Sequence, residues 1–186
     1  MMMLSEASAA MQGRLVGMDR RFESVEIDTR RLERQALYFA IHGEHRNGHE
    51  FIEQALQRGA VAAVADEAFP GDERSCHVRV ENTTIALGML ARAWREKFSV
   101  PVAGITGSNG KTTVCAMVSA LFSEYIPGIA PQGSFNNHWG VPLTLLKLRE
   151  HHRSAVIEMG MNHAGELTYL GQIVRPTIGL ITNAAA

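Results

Sequence analysis

Apolar and polar positions alternate along this chain in a way that predicts short strands and helices separated by turns. Residues 4–12 carry Ala and Met at helical spacing and stop at Gly13, which predicts one short helix. Residues 14–17 and 24–28 read as strands, and the second runs into the polar turn Asp28-Thr29-Arg30-Arg31. Residues 36–41 (ALYFAI) form a strong strand signal, followed by a glycine-bounded loop over 43–49. From Glu50 to Arg58, Phe51, Ile52, Ala55 and Leu56 fall on one helical face, and Gly59 is a good stop. Residues 60–65 read as a buried strand, 69–72 as a turn and 76–80 as a further strand. Ile85, Leu87, Leu90, Ala91 and Trp94 describe an amphipathic helix over 83–98.

Ser99-Val100-Pro101 is the expected junction, because a new strand starts there and leads into a glycine-rich turn. A helix is expected from Val114 to about Phe122, then an irregular stretch through residues 126–142 and a helix over 143–148. A buried strand over 154–160, a helix over 165–174 and a strand over 177–183 complete the pattern. The order β-α-β-α-β implies parallel strands joined by crossover helices. The expected fold class is α/β: a small N-terminal domain over 1–98, then a parallel-sheet domain over 99–186. Few strands cannot easily cover both faces of a parallel sheet, and the last strand runs directly into Ala184-Ala185-Ala186. The expectation is therefore an N-terminal fragment of a longer protein, ending inside its second domain.

Composition narrows the partners. A net charge of −1 over 186 residues offers no basic surplus for a nucleic-acid backbone. No apolar run approaches the ~20 residues that span a bilayer, and Met1-Met2-Met3-Leu4-Ser5-Glu6 lacks the basic start and apolar core of a signal peptide. Cys76 and Cys115 stand alone, which suits a reducing cytosol rather than a disulfide framework. The expected protein is cytoplasmic and monomeric, with small-molecule partners.

The strongest chemical signal is Thr106-Gly107-Ser108-Asn109-Gly110-Lys111-Thr112-Thr113, between a strand and a helix. Glycines there free backbone N–H groups to converge on a phosphate, and the helix N-terminus adds its positive end. Lys111 is placed to meet the terminal phosphates of ATP, and the Thr112 hydroxyl to ligate Mg²⁺. The strict phosphate-loop pattern has Gly where this chain has Ile105, so the motif is a variant. Glu158 closes an apolar strand, so it is expected at the carboxyl edge of the sheet, where a carboxylate can hold Mg²⁺. Asn136 and Asn137 lie in a loop expected at the same edge, as polar-substrate ligands or as turn formers. Asp28-Thr29-Arg30 is a candidate anion grip. His42, His45 and His49 suggest a metal, but no carboxylate or thiolate completes the set in sequence, so a solvated loop is expected. His151-His152-Arg153 reads as a polar turn.

Several stretches together resemble the Mur ligases, ATP-dependent amide-bond-forming enzymes of peptidoglycan synthesis. The carrying residues are Asp28-Thr29-Arg30, residues 37–43, residues 47–52 (NGHEFI), the loop from Thr106 to Thr113, residues 136–144 (NNHWGVPLT), residues 158–162 (EMGMN), and Arg175-Pro176 before Ile181-Thr182-Asn183. The phosphate loop is shared with folylpolyglutamate synthetases. The residues at 136–144 and 158–162 favour the members that add D-alanyl-D-alanine (D-Ala-D-Ala) to UDP-N-acetylmuramoyl-tripeptide (UDP-MurNAc-tripeptide).

That resemblance implies that Asp28, Thr29, Arg30, Asn47, Gly48 and His49 hold the UDP end of the substrate. It implies that Gly107, Ser108, Asn109, Gly110, Lys111, Thr112 and Thr113 bind ATP, with Lys111 and Glu158 catalytic and Thr112 and Glu158 on Mg²⁺. The implied reaction turns a substrate carboxylate into an acyl phosphate that the D-Ala-D-Ala amine attacks. Asn47 and Met161 depart mildly from the family pattern. The family's later metal, adenine and C-terminal ligase segments are not in this sequence, so the chain alone is expected to be inactive. Another ligase with the same ATP machinery, an unrelated phosphate-loop NTPase, and a nucleotide-sugar-binding module are the alternatives.

Overall fold

The computed structural model describes residues 1–43, 46–67, 69–71, 75–131, 133 and 135–184. The chain divides into two compact units, Met1–Leu90 and Ala91–Ala186.

In the first unit the chain runs through β1 (Met2–Met3), α1 (Leu4–Ala10), β2 (Arg14–Val16), β3 (Arg21–Phe22), β4 (Ser24–Glu26) and β5 (Ala36–Phe39). A short 3₁₀ helix (Gly48–Phe51), α2 (Ile52–Gln57), β6 (Ala62–Ala65), β7 (His77–Arg79) and the first part of α3 (Thr83–Arg95) follow. The five-stranded sheet has the order β2-β7-β6-β5-β4. Strands β4, β5, β6 and β7 are parallel, and β2 alone runs antiparallel, pairing Leu15 with Val78. Every residue of β5 and β6 is buried. This is why both read as unbroken apolar runs rather than as alternating strands. Ile52 and Ala55 of α2 pack on Tyr38, Ala40, Ala63 and Ala65, whose small partners let the helix sit close to the sheet. Gly59, at φ +101°, ends that helix in the left-handed conformation a side chain resists.

The second unit contains β8 (Val102–Thr106), α4 (Lys111–Tyr125), β9 (Gly128–Ile129), α5 (Gly140–Leu145), β10 (Ser154–Glu158), α6 (Glu166–Val174) and β11 (Ile178–Ile181). Its sheet has the order β11-β8-β10-β9, with every pairing parallel. Crossing from β8 to β9 and from β10 to β11 moves in opposite directions along the sheet. Right-handed crossovers therefore place α4 on one face and α6 on the other. All five residues of β8 and of β10 are buried, while all four of β11 are exposed.

The expected elements are present with most ends within two residues of those expected, and four larger differences stand out. The two-residue strands β1, β3 and β9 were not expected, since two residues carry no periodicity. The helix after the glycine-rich turn begins at Lys111, directly behind a left-handed Gly110, and extends to Tyr125. Helix α5 starts at Gly140 rather than 143, with Pro142 in its first turn, where a missing N–H costs no helical bond. Helix α3 ends at Arg95 rather than 98.

Candidate functional site

The carboxyl ends of β8 and β10 lie side by side, with Glu158 in register with Ile105. The glycine-rich turn therefore starts one residue beyond the level of Glu158. Gly107 adopts φ +138° and Gly110 φ +77°. A side chain on Gly107 would lie 2.1 Å from the Thr182 hydroxyl, so both backbone and space demand glycine there. At Gly110 there is open space, and the backbone conformation alone makes the demand.

No side chain caps α4, and its first turn carries no acidic residue. Its positive end is left without a counter-charge within the helix. Ser108, Asn109, Thr112 and Thr113 are exposed around it. Lys111 folds back over the turn, and its Nζ donates to the Gly107 carbonyl at 2.8 Å. The sequence reading gave Thr182 and Asn183 no part in the site. The structure uses them as a brace: the Asn183 carbonyl accepts the Ser108 N–H at 3.0 Å, and Asn183 Oδ1 accepts the Asn109 N–H at 2.8 Å. Their signal in sequence was position, at the end of a strand adjacent to β8.

Glu158 is 1% exposed. Its Oε1 accepts a hydrogen bond from Asn136 Nδ2 at 2.8 Å, while Oε2 is buried with no partner among the described residues. A buried carboxylate oxygen without a partner costs about 1–3 kcal/mol or more, which marks a place where a cation fits. Burial first, and the nearby Glu158 carboxylate second, push the Cys115 thiol up to about 12. Cys115 is thus a packing residue beneath the site, among Ile105 and Val156. The two asparagines separate in role. Asn136 reaches the acid, and its carbonyl also accepts the Gly160 N–H at 2.8 Å. Asn137 turns its Oδ1 onto the N–H groups of Trp139 and Gly140, which caps the start of α5.

In the first unit the candidate residues also gather at carboxyl ends, those of β4, β5 and β6. Arg30 closes a fork onto its own neighbour Asp28, with Nη2 2.7 Å from Oδ2. Hydrogen bonding from Arg30 is the main cause that lowers the Asp28 carboxyl to about 2. Thr29 is buried; its hydroxyl donates to Gln54 at 2.7 Å, and its carbonyl accepts from Arg58. Asn47 Oδ1 takes both the His49 N–H and His49 Nδ1, at 3.0 and 2.8 Å. Gly48 is pressed against β5's continuation: a side chain there would lie 2.5 Å from the Ile41 nitrogen. Tyr38, to which the sequence assigns no site role, ties the two stretches together. Its hydroxyl donates to the Gly48 carbonyl, and burial foremost, with Asp28 nearby, pushes it up to about 12.

The solvated-loop reading of His42 and His49 is corrected. Asp66, just past β6, supplies the carboxylate that sequence spacing did not show, with Oδ2 2.8 Å from His42 Nε2. The side chain of His49 is 9% exposed and stacks on His42 with ring centroids 4.5 Å apart. His45 lies outside the described residues. His151-His152-Arg153 is a turn as read, with His152 Nδ1 accepting the Arg149 N–H.

Known proteins share this arrangement. A model of the Mur ligase middle domain matches residues 105–186, and one of the Mur ligase family catalytic domain matches residues 21–95. A UDP-N-acetylmuramoyl-tripeptide--D-alanyl-D-alanine ligase of Synechocystis sp. is 41% identical over 166 residues, covering 89% of this chain and 37% of its own length. A crystal structure of MurF from Acinetobacter baumannii matches 95% of this chain and 40% of its own, with 33% identity and a TM-score of 0.86. A MurF ligase from Thermotoga maritima in complex with ADP matches 87% of this chain and 37% of its own, with 28% identity and a TM-score of 0.77. The chain thus spans about two-fifths of the length of the relatives it matches. With its first unit and its second each matched by a Mur ligase domain, and with relatives of that family aligned over most of its length, this chain belongs to the Mur ligase family.

Proposed function

We propose that this chain is the UDP-substrate-binding domain and the start of the ATP-binding domain of a ligase that joins D-Ala-D-Ala to UDP-MurNAc-tripeptide in the cytoplasm. The observation that carries the reading is Glu158, a buried acid with one oxygen unpartnered beside an uncapped helix N-terminus. That pairing of an unmet negative charge with an unmet positive helix end suits a cation and a polyphosphate bound together. The Synechocystis relative's name gives the acceptor and the donor, and the Thermotoga neighbour's title gives an adenine nucleotide. Among the described residues no helix is long and apolar enough to cross a membrane.

In this reading Gly107 to Thr113 hold the phosphates of ATP, and Thr112 and Glu158 hold Mg²⁺. Bound there, Mg²⁺ and ATP supply the phosphoryl group and the charge neutralisation that turn a carboxylate into an acyl phosphate. Lys111 leaves the Gly107 carbonyl and turns its charge onto the terminal phosphate. Asn136 keeps Glu158 Oε1 engaged, so Oε2 faces the ion. Asp28, Thr29, Arg30, Asn47, Gly48 and His49 line the UDP end, and Arg30 must open its fork on Asp28 to reach a phosphate.

The decisive assay is phosphate release by the protein at its full encoded length, with ATP, Mg²⁺ and UDP-MurNAc-tripeptide. Stimulation by D-Ala-D-Ala is expected. Stimulation by glutamate or a diamino acid instead would move the chain to another ligase of the same family.

A further inference from the structure

The geometry points to a divalent transition-metal site at His42, His49 and Asp66, with Zn²⁺ the best-suited ion. Their ligand atoms all lie within 4.8 Å of one another. The three come from separate elements: His42 follows β5, His49 sits in the 3₁₀ helix and Asp66 follows β6. Fixed backbone therefore brings them together, rather than a mobile loop. An antiparallel bridge between His42 and Asn47 ties the loop's two ends.

The hydrogen bonds also set the state of the nitrogens. His49 Nδ1 faces Asn47 Oδ1 at 2.8 Å, so Nδ1 carries the hydrogen. Nε2 then keeps its lone pair, and it accepts the Asp66 backbone N–H at 3.2 Å, a long bond that an ion can displace. A ligating histidine whose other nitrogen donates to an oxygen is the arrangement that orients metal-binding imidazoles. His42 Nε2 and Asp66 Oδ2, 2.8 Å apart, need a shared proton in the free protein. A metal ion takes that proton's place.

Phe69 packs 6.4 Å from the His49 ring and gives the cluster an apolar wall. On the other side Asp66 lines an open 950 Å³ cleft with Glu67, Arg14 and Arg79. His42 is half-exposed, which provides entry for the ion. Two imidazoles and one carboxylate leave at least one position open, and that position suits water or an anionic oxygen such as a phosphate's. The site uses none of the residues around Glu158; His49 and Asn47 also belong to the UDP end proposed above, and the metal titration below needs no nucleotide.

The test is a titration of the tag-free, chelator-treated 186-residue chain with Co²⁺, followed by visible absorption, and then with Zn²⁺. One equivalent of Co²⁺ should give a saturable ligand-field spectrum that Zn²⁺ abolishes. His42→Ala and Asp66→Asn should each remove it, Asn47→Ala should weaken binding ~10–100-fold, and a His151→Ala/His152→Ala double variant should leave it unchanged. Circular dichroism confirms that each variant is folded; if Asp66→Asn is not, the half-exposed His42→Ala carries the test. Failure to saturate at one equivalent, or a spectrum unaffected by His42→Ala or lost in the His151→Ala/His152→Ala variant, would overturn the proposal.

Discussion

The carboxyl ends of the parallel strands in the two sheets treat their polar groups in opposite ways. In the first unit each candidate residue has found a partner nearby: Arg30 on Asp28, Thr29 on Gln54, Asn47 on His49, Tyr38 on the Gly48 carbonyl. In the second, Glu158 Oε2 is buried without a partner among the described residues, and α4 starts without a side-chain cap. The first edge is a polar surface whose groups already satisfy one another, so a ligand there exchanges existing hydrogen bonds rather than relieving strain. The second stores unfavourable electrostatics that a cation and a phosphate would relieve together, and that is the behaviour expected where charge must be handled during a reaction.

The largest effect should come from the strained edge. Lys111→Ala or Glu158→Gln in the protein at full encoded length should lower kcat for ligation by about 10²–10³-fold or more. Steady-state phosphate release measures it, and a change below threefold would remove both residues from the chemistry. If the edge is strained, Glu158→Gln should also raise the melting temperature of the 186-residue chain, by the few degrees that ~0.5–2 kcal/mol provides. Loss of activity combined with a lower melting temperature would mean that Glu158 is an ordinary structural acid.

The self-satisfied edge should respond through stability. Gly48→Ala forces a Cβ to 2.5–2.8 Å from the Ile41 and Ala40 backbone and should destabilise the first unit by roughly 1–3 kcal/mol. Urea denaturation followed at that unit would show it. Tyr38→Phe removes one hydrogen bond and should cost about 1 kcal/mol, with the fold unchanged.

The smallest effect is acid sensitivity. Asp28 is lowered from 3.8 to about 2 in the folded protein, chiefly by Arg30. A carboxyl whose folded value lies below its unfolded one stabilises above the unfolded value and loses that contribution as pH falls from about 4 to about 2. Arg30→Ala should flatten the stability curve in that window, and an unchanged slope would mean that the fork is not maintained in solution.

Much of this was legible in the sequence because it rests on local rules. The α/β class, the parallel order of the second unit, the glycine-rich turn and a strand-end Glu158 follow from periodicity, left-handed glycines and the point where an apolar run stops. Residues 36–41 and 154–158 could be read because burial on both faces leaves an unbroken apolar run. The two-residue strands could not, since pairing across space defines them. Nor could the separation of Asn136 from Asn137, which are neighbours in sequence but turn one side chain to Glu158 and the other to a helix start.

The sequence by itself determined which residues bear charge, where glycine punctuates the chain, and which stretches become strands. Tertiary structure alone decided partners. It gave Asn183 to the glycine-rich turn across more than seventy residues, left Glu158 Oε2 without a donor, and brought Asp66 to two histidines that sequence spacing had left without an acid. The physical reason is that hydrogen bonds and ion pairs act over a few ångströms, and only the packing of strands says which distant residues come that close.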